Sequence, residues 1–271
     1  PVTGYFKSRI FFIYILIFKF FPLRKILKKE KPEYLIMHLV TSLPLIILLF
    51  SKTSTKFILT RKTYKDITIN NLHGWLSEVP NATKIILICH GNKANISHHT
   101  EKLENFNQLG YNVLIFDYSG YGNSTGIPSE QQIYNDASII TATLCKTYTP
   151  NNIILYGQSL GAAVASYIAR RYRIPHLIME APLPSMKELI KSYLPNLLNF
   201  LAFPFTEFNT QLYLDGYFGK SLCIYSLEDE LINYTLLKPI LALSTNYIQT
   251  TGSHDRIVIP YTEINKFIEE T

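Results

Sequence analysis

A serine lies between two glycines in the sequence Gly157-Gln158-Ser159-Leu160-Gly161, which has the pattern G-x-S-x-G. Apolar residues at 153–156 lead into this pattern and the small residues of AAVASYIAR follow it, so a strand, a tight turn and a helix are predicted in that order. A turn of this kind is a nucleophile elbow, which holds a serine hydroxyl above the edge of a sheet. Ser159 is therefore the predicted nucleophile. The alternative is an ordinary glycine-rich turn whose serine caps the helix.

A serine hydroxyl at neutral pH needs a base within hydrogen-bonding distance. Of the seven histidines, His254 is the best placed, because it follows the last predicted strand and precedes the last predicted helix. Loops at that edge of an open α/β sheet bind ligands. The other candidate, His90, ends a predicted strand just before Gly91 and Asn92. His90 is therefore expected to shape a loop rather than to act as the base.

The acid that orients the imidazole is expected between the nucleophile and the base in the chain, at residues 160–253. Three consecutive carboxylates at positions 228–230 come just after a predicted strand. A run of acids is ordinarily a solvated loop, but the place of this run between Ser159 and His254 favours a catalytic role. Asp229 is the predicted acid and Glu228 is the alternative. Glu230 is the weakest of the three because of its position after the strand.

The negative oxygen of a tetrahedral intermediate needs two preorganised hydrogen-bond donors. The backbone N–H of Leu160, directly after the nucleophile, is the first. The second is expected from the loop after residue 89, where Gly91 permits a tight turn. The backbone N–H of Asn92 is the preferred donor and its side-chain amide the alternative, because the residue types alone do not separate them.

These side chains need a scaffold that brings them to one edge. From about residue 61, short β-branched runs alternate with longer mixed stretches, which predicts a mainly parallel sheet flanked by helices. Apolar runs at 84–89, 113–116 and 153–156 indicate strands that are buried on both faces. Further strands are predicted at 62–70 (an outer strand), 176–179, 222–225 and 246–248, and helices at 98–109, 129–147 and 261–269. Residues 182–218 are predicted to form a small helical insertion over the sheet.

The composition of the 271-residue chain excludes several classes of protein. Apolar residues make up 47% and charged residues 17%, which excludes disorder as the main state. Cys89, Cys145 and Cys223 are too far apart for a disulfide framework or a zinc ribbon, and are expected to be small buried side chains. The net charge of +6 does not favour nucleic-acid binding, because the basic cluster adjoins hydrophobic stretches rather than a recognition module.

The first 55 residues differ from the rest, and the sequence divides into a hydrophobic N-terminal segment at 1–55 and a catalytic domain at 56–271. Apolar stretches occupy 10–21 and 34–50, with five basic residues between them. At 1.5 Å per residue the second stretch spans about 25 Å, near the short limit for crossing a ~30 Å hydrocarbon layer. The first contains Lys19 and fits an interfacial helix or half of a helical hairpin. Membrane association through this segment is expected, on a side that the nearly balanced flanking charges leave open. Soluble helices that cover the core are the alternative.

The blocks CHGN, DYSGYG, YGQSLGAAVA, MEAPLPS, LEDELI and GSHD together resemble the alpha/beta-hydrolase-fold serine hydrolases of the membrane-tethered subfamily. That subfamily includes eukaryotic depalmitoylating thioesterases and many uncharacterised bacterial hydrolases. The resemblance covers about residues 72–269 and implies an alpha/beta-hydrolase fold, a triad of Ser159, Asp229 and His254, a short helical cap, a hydrophobic N-terminal anchor and no cofactor or metal.

The sequence departs from the subfamily pattern at three places. Ser119 stands where the DYRGYG block usually has arginine, Tyr225-Ser226 stand where His-Gly commonly precedes the acid loop, and Asn233 replaces the usual proline after that loop. All three predicted triad residues are nevertheless present. The departures bear on substrate preference instead.

The predicted function is hydrolysis of an ester or thioester bond in a small-molecule or lipid (acyl) substrate. An aminopeptidase or amidase would use the same triad on the same fold. A non-catalytic membrane-associated scaffold is a third class, since a fold does not by itself imply a function. The presence of nucleophile, acid and base in the correct order favours an enzyme over the scaffold.

Overall fold

The computed structural model describes residues 64–93, 95–193 and 207–270. The predicted N-terminal segment at 1–55, with both of its apolar stretches, lies outside the described residues. In the part of the chain that the structure describes, no helix combines the length and apolar character needed to cross a membrane.

The core of the fold is an eight-stranded sheet. Its strands are β1 (Lys65–Ile69), β2 (Leu72–Ser77), β3 (Ile85–Cys89), β4 (Asn112–Phe116), β5 (Ile153–Gln158), β6 (His176–Glu180), β7 (Lys220–Ser226) and β8 (Asn246–Thr250). In space they lie in the order β1-β2-β4-β3-β5-β6-β7-β8. β2 runs antiparallel to β1 and β4, and the other neighbours are parallel. The prediction of a mostly parallel sheet with an outer strand near residues 62–70 is confirmed.

Seven α-helices connect and cover these strands in the described residues. They are α1 (Thr100–Gln108), α2 (Glu130–Leu144), α3 (Leu160–Tyr172), α4 (Met186–Tyr193), α5 (Thr210–Leu214), α6 (Tyr234–Leu243) and α7 (Tyr261–Glu269). The described part of the predicted insertion at 182–218 contains α4 and α5. Residues 194–206 lie outside the described residues.

The sheet is buried on both faces because its strand residues point alternately to two apolar layers. In β3, Ile85, Leu87 and Cys89 pack into the layer formed with α2 and α3, whereas Ile86 and Ile88 pack into the layer formed with α1 and α7. All five residues of β3 are fully buried. A continuous apolar run is therefore what a central strand of this architecture requires.

Parallel pairing in a fixed register aligns the carboxyl ends of the central strands. Cys89 pairs with Gly157, Gly157 with Met179, and Met179 with Cys223. The segments that leave β3, β5, β7 and β8 therefore begin at the same edge of the sheet. These segments contain all of the predicted site residues.

The carboxylate of Asp117 organises the loops at this edge next to β4. It accepts hydrogen bonds from the backbone N–H groups of Ile96 and Asn123 at 3.0 and 3.2 Å. Its Oδ2 also lies 3.5 Å from Nδ1 of His73 on β2. Burial alone would raise the pKa of Asp117, but His73, His90 and the two N–H donors hold it below its usual value. One buried carboxylate thus joins a strand to two loops.

The prediction that all three cysteines are buried is wrong for one of them. Cys89 and Cys223 lie in central strands and are buried, whereas Cys145 follows the end of α2 and is exposed. The two strand positions place the small thiol side chains in the apolar layers. Cys145 instead begins the exposed stretch at 145–147 that follows the helix, outside both apolar layers.

Candidate active site

Ser159 occupies the sharp turn between β5 and α3. Its backbone has φ 52° and ψ −117°, a conformation that L-amino acids rarely adopt. The Ser159 N–H donates to the carbonyl of Glu180 at 2.9 Å, which ties the turn to the neighbouring strand β6. The Ser159 side chain makes no capping hydrogen bond to α3. The hydroxyl is therefore not used as a helix cap, and the capping-serine alternative does not describe this turn.

The two glycines of the motif are required by close backbone contacts. A Cβ atom on Gly157 would lie 2.4 Å from the carbonyl oxygen of Gly161 and 2.5 Å from Cα of Ala162. A Cβ atom on Gly161 would lie 2.0 Å from the carbonyl oxygen of Cys89, at the end of β3. Only a residue without a side chain allows α3 to start this close to two strands.

The structure brings Ser159, His254 and Asp229 together. Nε2 of His254 lies 3.0 Å from Oγ of Ser159, although the two residues are 95 positions apart. Nδ1 of the same ring lies 2.8 Å from Oδ2 of Asp229. The other oxygen of Asp229 accepts the backbone N–H groups of Leu231 and Ile232 at 2.9 and 2.7 Å. An imidazole that donates its Nδ1–H to Asp229 presents an unprotonated Nε2 to the serine hydroxyl.

The surroundings of His254 favour its charged form. The ring is largely buried, which lowers its pKa, but the hydrogen bond and charge of Asp229 and the charges of Asp255 and Glu230 outweigh burial. The net effect raises the pKa of His254 above its usual value of 6.5. A proton taken from a nucleophile is therefore stabilised on this ring.

The other members of the acidic run have different partners. Oε2 of Glu228, the alternative acid, accepts the backbone N–H of Gly252 at 3.1 Å instead of contacting the imidazole. Oε2 of Glu230 accepts the backbone N–H of His254 at 3.1 Å. Sequence reasoning treated Glu230 as the weakest candidate and gave it no role. The only sequence signal for its contact is its place in the same acidic run.

The loop after β3 lies beside the nucleophile. A Cβ atom on Gly91 would lie 3.6 Å from Cβ of Ser159, so the start of this loop is in van der Waals range of the serine. Oδ1 of Asn92 accepts the hydroxyl hydrogen of Tyr121 at 2.8 Å. This bond uses the carbonyl oxygen of the Asn92 side chain and not its amide NH₂ group, which is the hydrogen-bond donor. Tyr121, from the DYSGYG block, was not among the predicted site residues.

Leu160 is the first residue of α3, so its backbone N–H has no acceptor within the helix. Helix N-termini favour negative charge for this reason. Of the two predicted oxyanion donors, Leu160 directly follows Ser159 in the chain. Asn92 belongs to the loop after β3, which approaches Ser159.

His90 is buried, and neither nitrogen of its ring hydrogen-bonds to Ser159. Its Nδ1–H donates to the carbonyl of Gly91 at 2.7 Å, and its ring packs 4.3 Å from that of Tyr118 and 5.4 Å from that of Tyr121, between centroids. Burial lowers the pKa of His90. This placement agrees with a role in shaping the loop.

A partly buried ion pair lies beside the elbow. Lys102 of α1 contacts the carboxylate of Glu180, which also accepts the hydroxyl of Tyr156 at 2.6 Å and the amide of Gln158 at 3.1 Å. Glu180 is the residue whose carbonyl receives the Ser159 N–H. Sequence reasoning did not find this cluster, because its members come from three separate elements. Within the described residues, no group of three or more His, Cys, Asp or Glu side chains could hold a metal ion.

Comparison with known proteins places the chain in a family. The family model described as "Serine aminopeptidase, S33" matches residues 80–231, which is more than half of the chain. Alpha/beta hydrolase domain-containing protein 17B of Xenopus tropicalis is 30% identical over 159 residues, covering 58% of this chain and 54% of that protein. The uncharacterized membrane protein YNL320W of Saccharomyces cerevisiae is 30% identical over 168 residues, covering 59% of each. The chain therefore matches somewhat more than half of the length of these relatives.

Solved structures share the fold. An esterase of Pyrococcus furiosus superposes with a TM-score of 0.60 at 22% sequence identity, covering 76% of this chain and 90% of the esterase. At this identity the likeness shows the architecture alone. The predicted alpha/beta-hydrolase fold is confirmed.

Replacing Gly161 by alanine tests the close packing of the elbow. The added methyl group would clash with the Cys89 carbonyl, so we expect Gly161→Ala to lower the free energy of unfolding by about 1–3 kcal/mol or more. Gly91→Ala is the matched control, because its Cβ would meet atoms at 3.5 and 3.6 Å, which are ordinary contacts. It should change stability by less than about 1 kcal/mol. Urea unfolding followed by the fluorescence of Trp75 measures both, and equal stabilities would contradict the packing argument.

Proposed function

Since this chain belongs to the alpha/beta-hydrolase family described as serine aminopeptidase, we propose that it is a serine hydrolase that cleaves carboxylic ester or thioester bonds. The observation that carries the proposal is the position of the His254 ring, within hydrogen-bonding distance of both Ser159 and Asp229. In this proposal Ser159 is the nucleophile, His254 is the base and Asp229 is the acid. The substrate would be a small molecule or an acyl lipid.

The proposed reaction has two halves, and in each half His254 accepts one proton and later gives one up. Oγ of Ser159 attacks the acyl carbon while its proton moves to Nε2 of His254, and the oxyanion that forms is stabilised by N–H groups of Leu160 and Asn92. When the bond to the leaving group breaks, His254 gives its proton to the departing alcohol or thiol. Water then attacks the acyl-enzyme with His254 as base, which releases the acid and restores Ser159. Asp229 holds the ring in one tautomer throughout.

A second candidate function is hydrolysis of an amide bond, as in an aminopeptidase. The match to the serine aminopeptidase family is the specific observation that favours it. The same triad chemistry would apply, but the leaving group would be an amine that His254 must protonate before it departs. Rates on matched esters, thioesters and amino-acid anilides separate the two functions.

We expect Ser159 to be the residue that reacts. A fluorophosphonate probe should label the wild-type chain and should fail to label Ser159→Ala. The variant should also lose hydrolysis of p-nitrophenyl esters by a factor of about 10³ or more, because the covalent step is removed. Circular dichroism of the variant controls for folding. A folded wild-type chain that neither reacts with the probe nor cleaves any member of the three substrate series would contradict the proposal.

The pKa of His254 sets the expected pH dependence. The ring must be neutral to accept the serine proton, and its pKa is raised above 6.5. Activity should therefore fall as the pH decreases, with the midpoint of the acid limb of kcat/KM above pH 6.5. Asp229→Asn removes the charge that raises this pKa, so an NMR titration of the His254 ring should give a lower value in the variant. A ring pKa that is unchanged by the substitution would show that Asp229 does not control it.

Membrane association through residues 1–55 is part of the proposal. It is supported by the apolar stretches at 10–21 and 34–50 and by the name of the yeast relative, which describes a membrane protein. An enzyme held at a membrane would meet acyl chains at high local concentration. This proximity favours lipid or acylated substrates over freely diffusing polar ones.

Fractionation of the full chain tests this association. We expect the full chain to sediment with membranes, to remain there in high salt and to be released by detergent. The reason is that the burial of apolar side chains is not screened by salt. A peripheral protein held by the basic residues alone would be released by salt. Recovery in the high-speed supernatant without detergent would contradict membrane association.

A further inference from the structure

We propose that Glu230 and Glu228 are positioning residues that fasten the loop of the candidate base His254 to the acid loop. The proposal rests on the proposed function, since it assigns a role beside the same three residues. Glu230 accepts the backbone N–H of His254, and Glu228 accepts the backbone N–H of Gly252, both at 3.1 Å. Three consecutive carboxylates thus bind three different groups of one loop, and only Asp229 binds the imidazole.

The acid loop has hydrogen bonds of its own that hold it in place. Asp229 receives two backbone N–H groups of its own loop, from Leu231 and Ile232. The N–H of Glu228 donates to the hydroxyl of Ser226, at the end of β7, at 3.0 Å. The acid loop is therefore held to the sheet independently of its contacts with His254.

The loop that carries His254 has two backbone hydrogen bonds of its own, from Val258 to Thr251 at 3.0 Å and from Arg256 to Ser253 at 2.9 Å, and neither uses the N–H of Gly252 or His254. Gly252 has φ +107°, a conformation that glycine adopts readily. His254 begins a three-residue 3₁₀ helix, and the preceding Ser253 makes no side-chain capping bond to it. The first N–H of a helix has no acceptor within the helix. Glu230 supplies that acceptor from the neighbouring loop.

Two anchors constrain the imidazole more strictly than one. Asp229 fixes the ring at Nδ1 but does not bind the backbone of residue 254. With Glu230 bound at the backbone N–H, both ends of the His254 residue are attached to adjacent residues of one loop. A shift of about 1 Å in a catalytic group can lower the rate about a hundredfold. The distance from Nε2 to Ser159 therefore depends on the backbone anchor as well as on Asp229.

Asp255 provides a matched control for charge. Like Glu230, it is an acid whose charge raises the pKa of His254. Its carboxylate pairs with Nζ of Lys93 at 2.8 Å, and both side chains are more than half exposed. Removing the Asp255 charge should thus alter the electrostatics of the ring while leaving the anchors at Gly252 and His254 in place.

The test compares full-length Glu230→Ala, Glu230→Gln, Glu228→Ala and Asp255→Asn with the wild type on one p-nitrophenyl ester across pH. On the alkaline plateau, we expect Glu230→Ala to lower kcat about ten- to a hundredfold. Its KM should stay within about twofold of the wild-type value. Glu228→Ala should lower kcat by less, because its anchor lies two residues from His254. Glu230→Gln retains an acceptor oxygen and should recover most of the plateau rate.

The control separates position from charge. Asp255→Asn should move the acid limb to lower pH and leave the plateau kcat within about twofold of the wild-type value. Thermal unfolding of each variant accounts for loss of folded protein. A plateau kcat of Glu230→Ala within twofold of that of Asp255→Asn, in fully folded protein, would overturn the proposal.

A measurement that does not need turnover keeps this result distinct from failure of the proposed function. The proton of the His254–Asp229 hydrogen bond should give a downfield NMR signal in the wild type. That signal should broaden or vanish in Glu230→Ala and persist in Glu230→Gln and Asp255→Asn. If the wild type lacks hydrolase activity but the signal behaves in this way, the anchoring is correct and the proposed function is wrong. An unaltered signal in Glu230→Ala would overturn the anchoring in an active or inactive chain.

Discussion

The candidate site depends on one imidazole that is hydrogen-bonded at both nitrogens. His254 lies 2.8 Å from Asp229 and 3.0 Å from Ser159, and the three residues belong to loops that follow β8, β7 and β5. Two such bonds form at once only if the three loops end at fixed positions relative to each other. The parallel register supplies this condition, because it aligns the carboxyl ends of the strands to within two residues.

The nucleophile is the least adjustable part of the arrangement. Gly161 places the start of α3 against the carbonyl of Cys89, and Gly157 lies under the first turn of the same helix. The positive φ of Ser159 is held by the hydrogen bond from its N–H to Glu180, and by β5 before it and α3 after it. By contrast, side chains bind the loops of His254 and Asn92. Glu228 and Glu230 bind the first, which also has backbone hydrogen bonds of its own, and Tyr121 binds the second. The serine is fixed by backbone packing, and its partners are fixed by polar contacts.

One departure from the subfamily pattern is accommodated locally. Ser119 stands in place of the usual arginine, and it faces the fully buried carboxylate of Asp136. The backbone N–H and the hydroxyl of Ser119 both donate to Asp136, at 2.6 and 3.0 Å, and Gln132 donates a third bond at 2.8 Å. Three neutral donors therefore satisfy a carboxylate that cannot be left unpaired in the interior. These bonds hold the loop after β4 in this chain, in which the contacts of Ser159, Asp229 and His254 are all formed.

The sequence alone determined the central strands, the elbow and the candidates for the three reacting groups. The reason is that these features leave local signals: apolar runs for β3, β4 and β5, glycines two residues either side of Ser159, and polar residues just after predicted strands. Only the tertiary structure decided which carboxylate reaches the imidazole, that Glu228 and Glu230 bind the backbone of the same loop, and that Tyr121 engages the side-chain carbonyl of Asn92. These contacts join residues about 25 to 30 positions apart. Adjacent acids have the same chemistry in a sequence, and it is the direction in which the folded backbone points each of them that separates their roles.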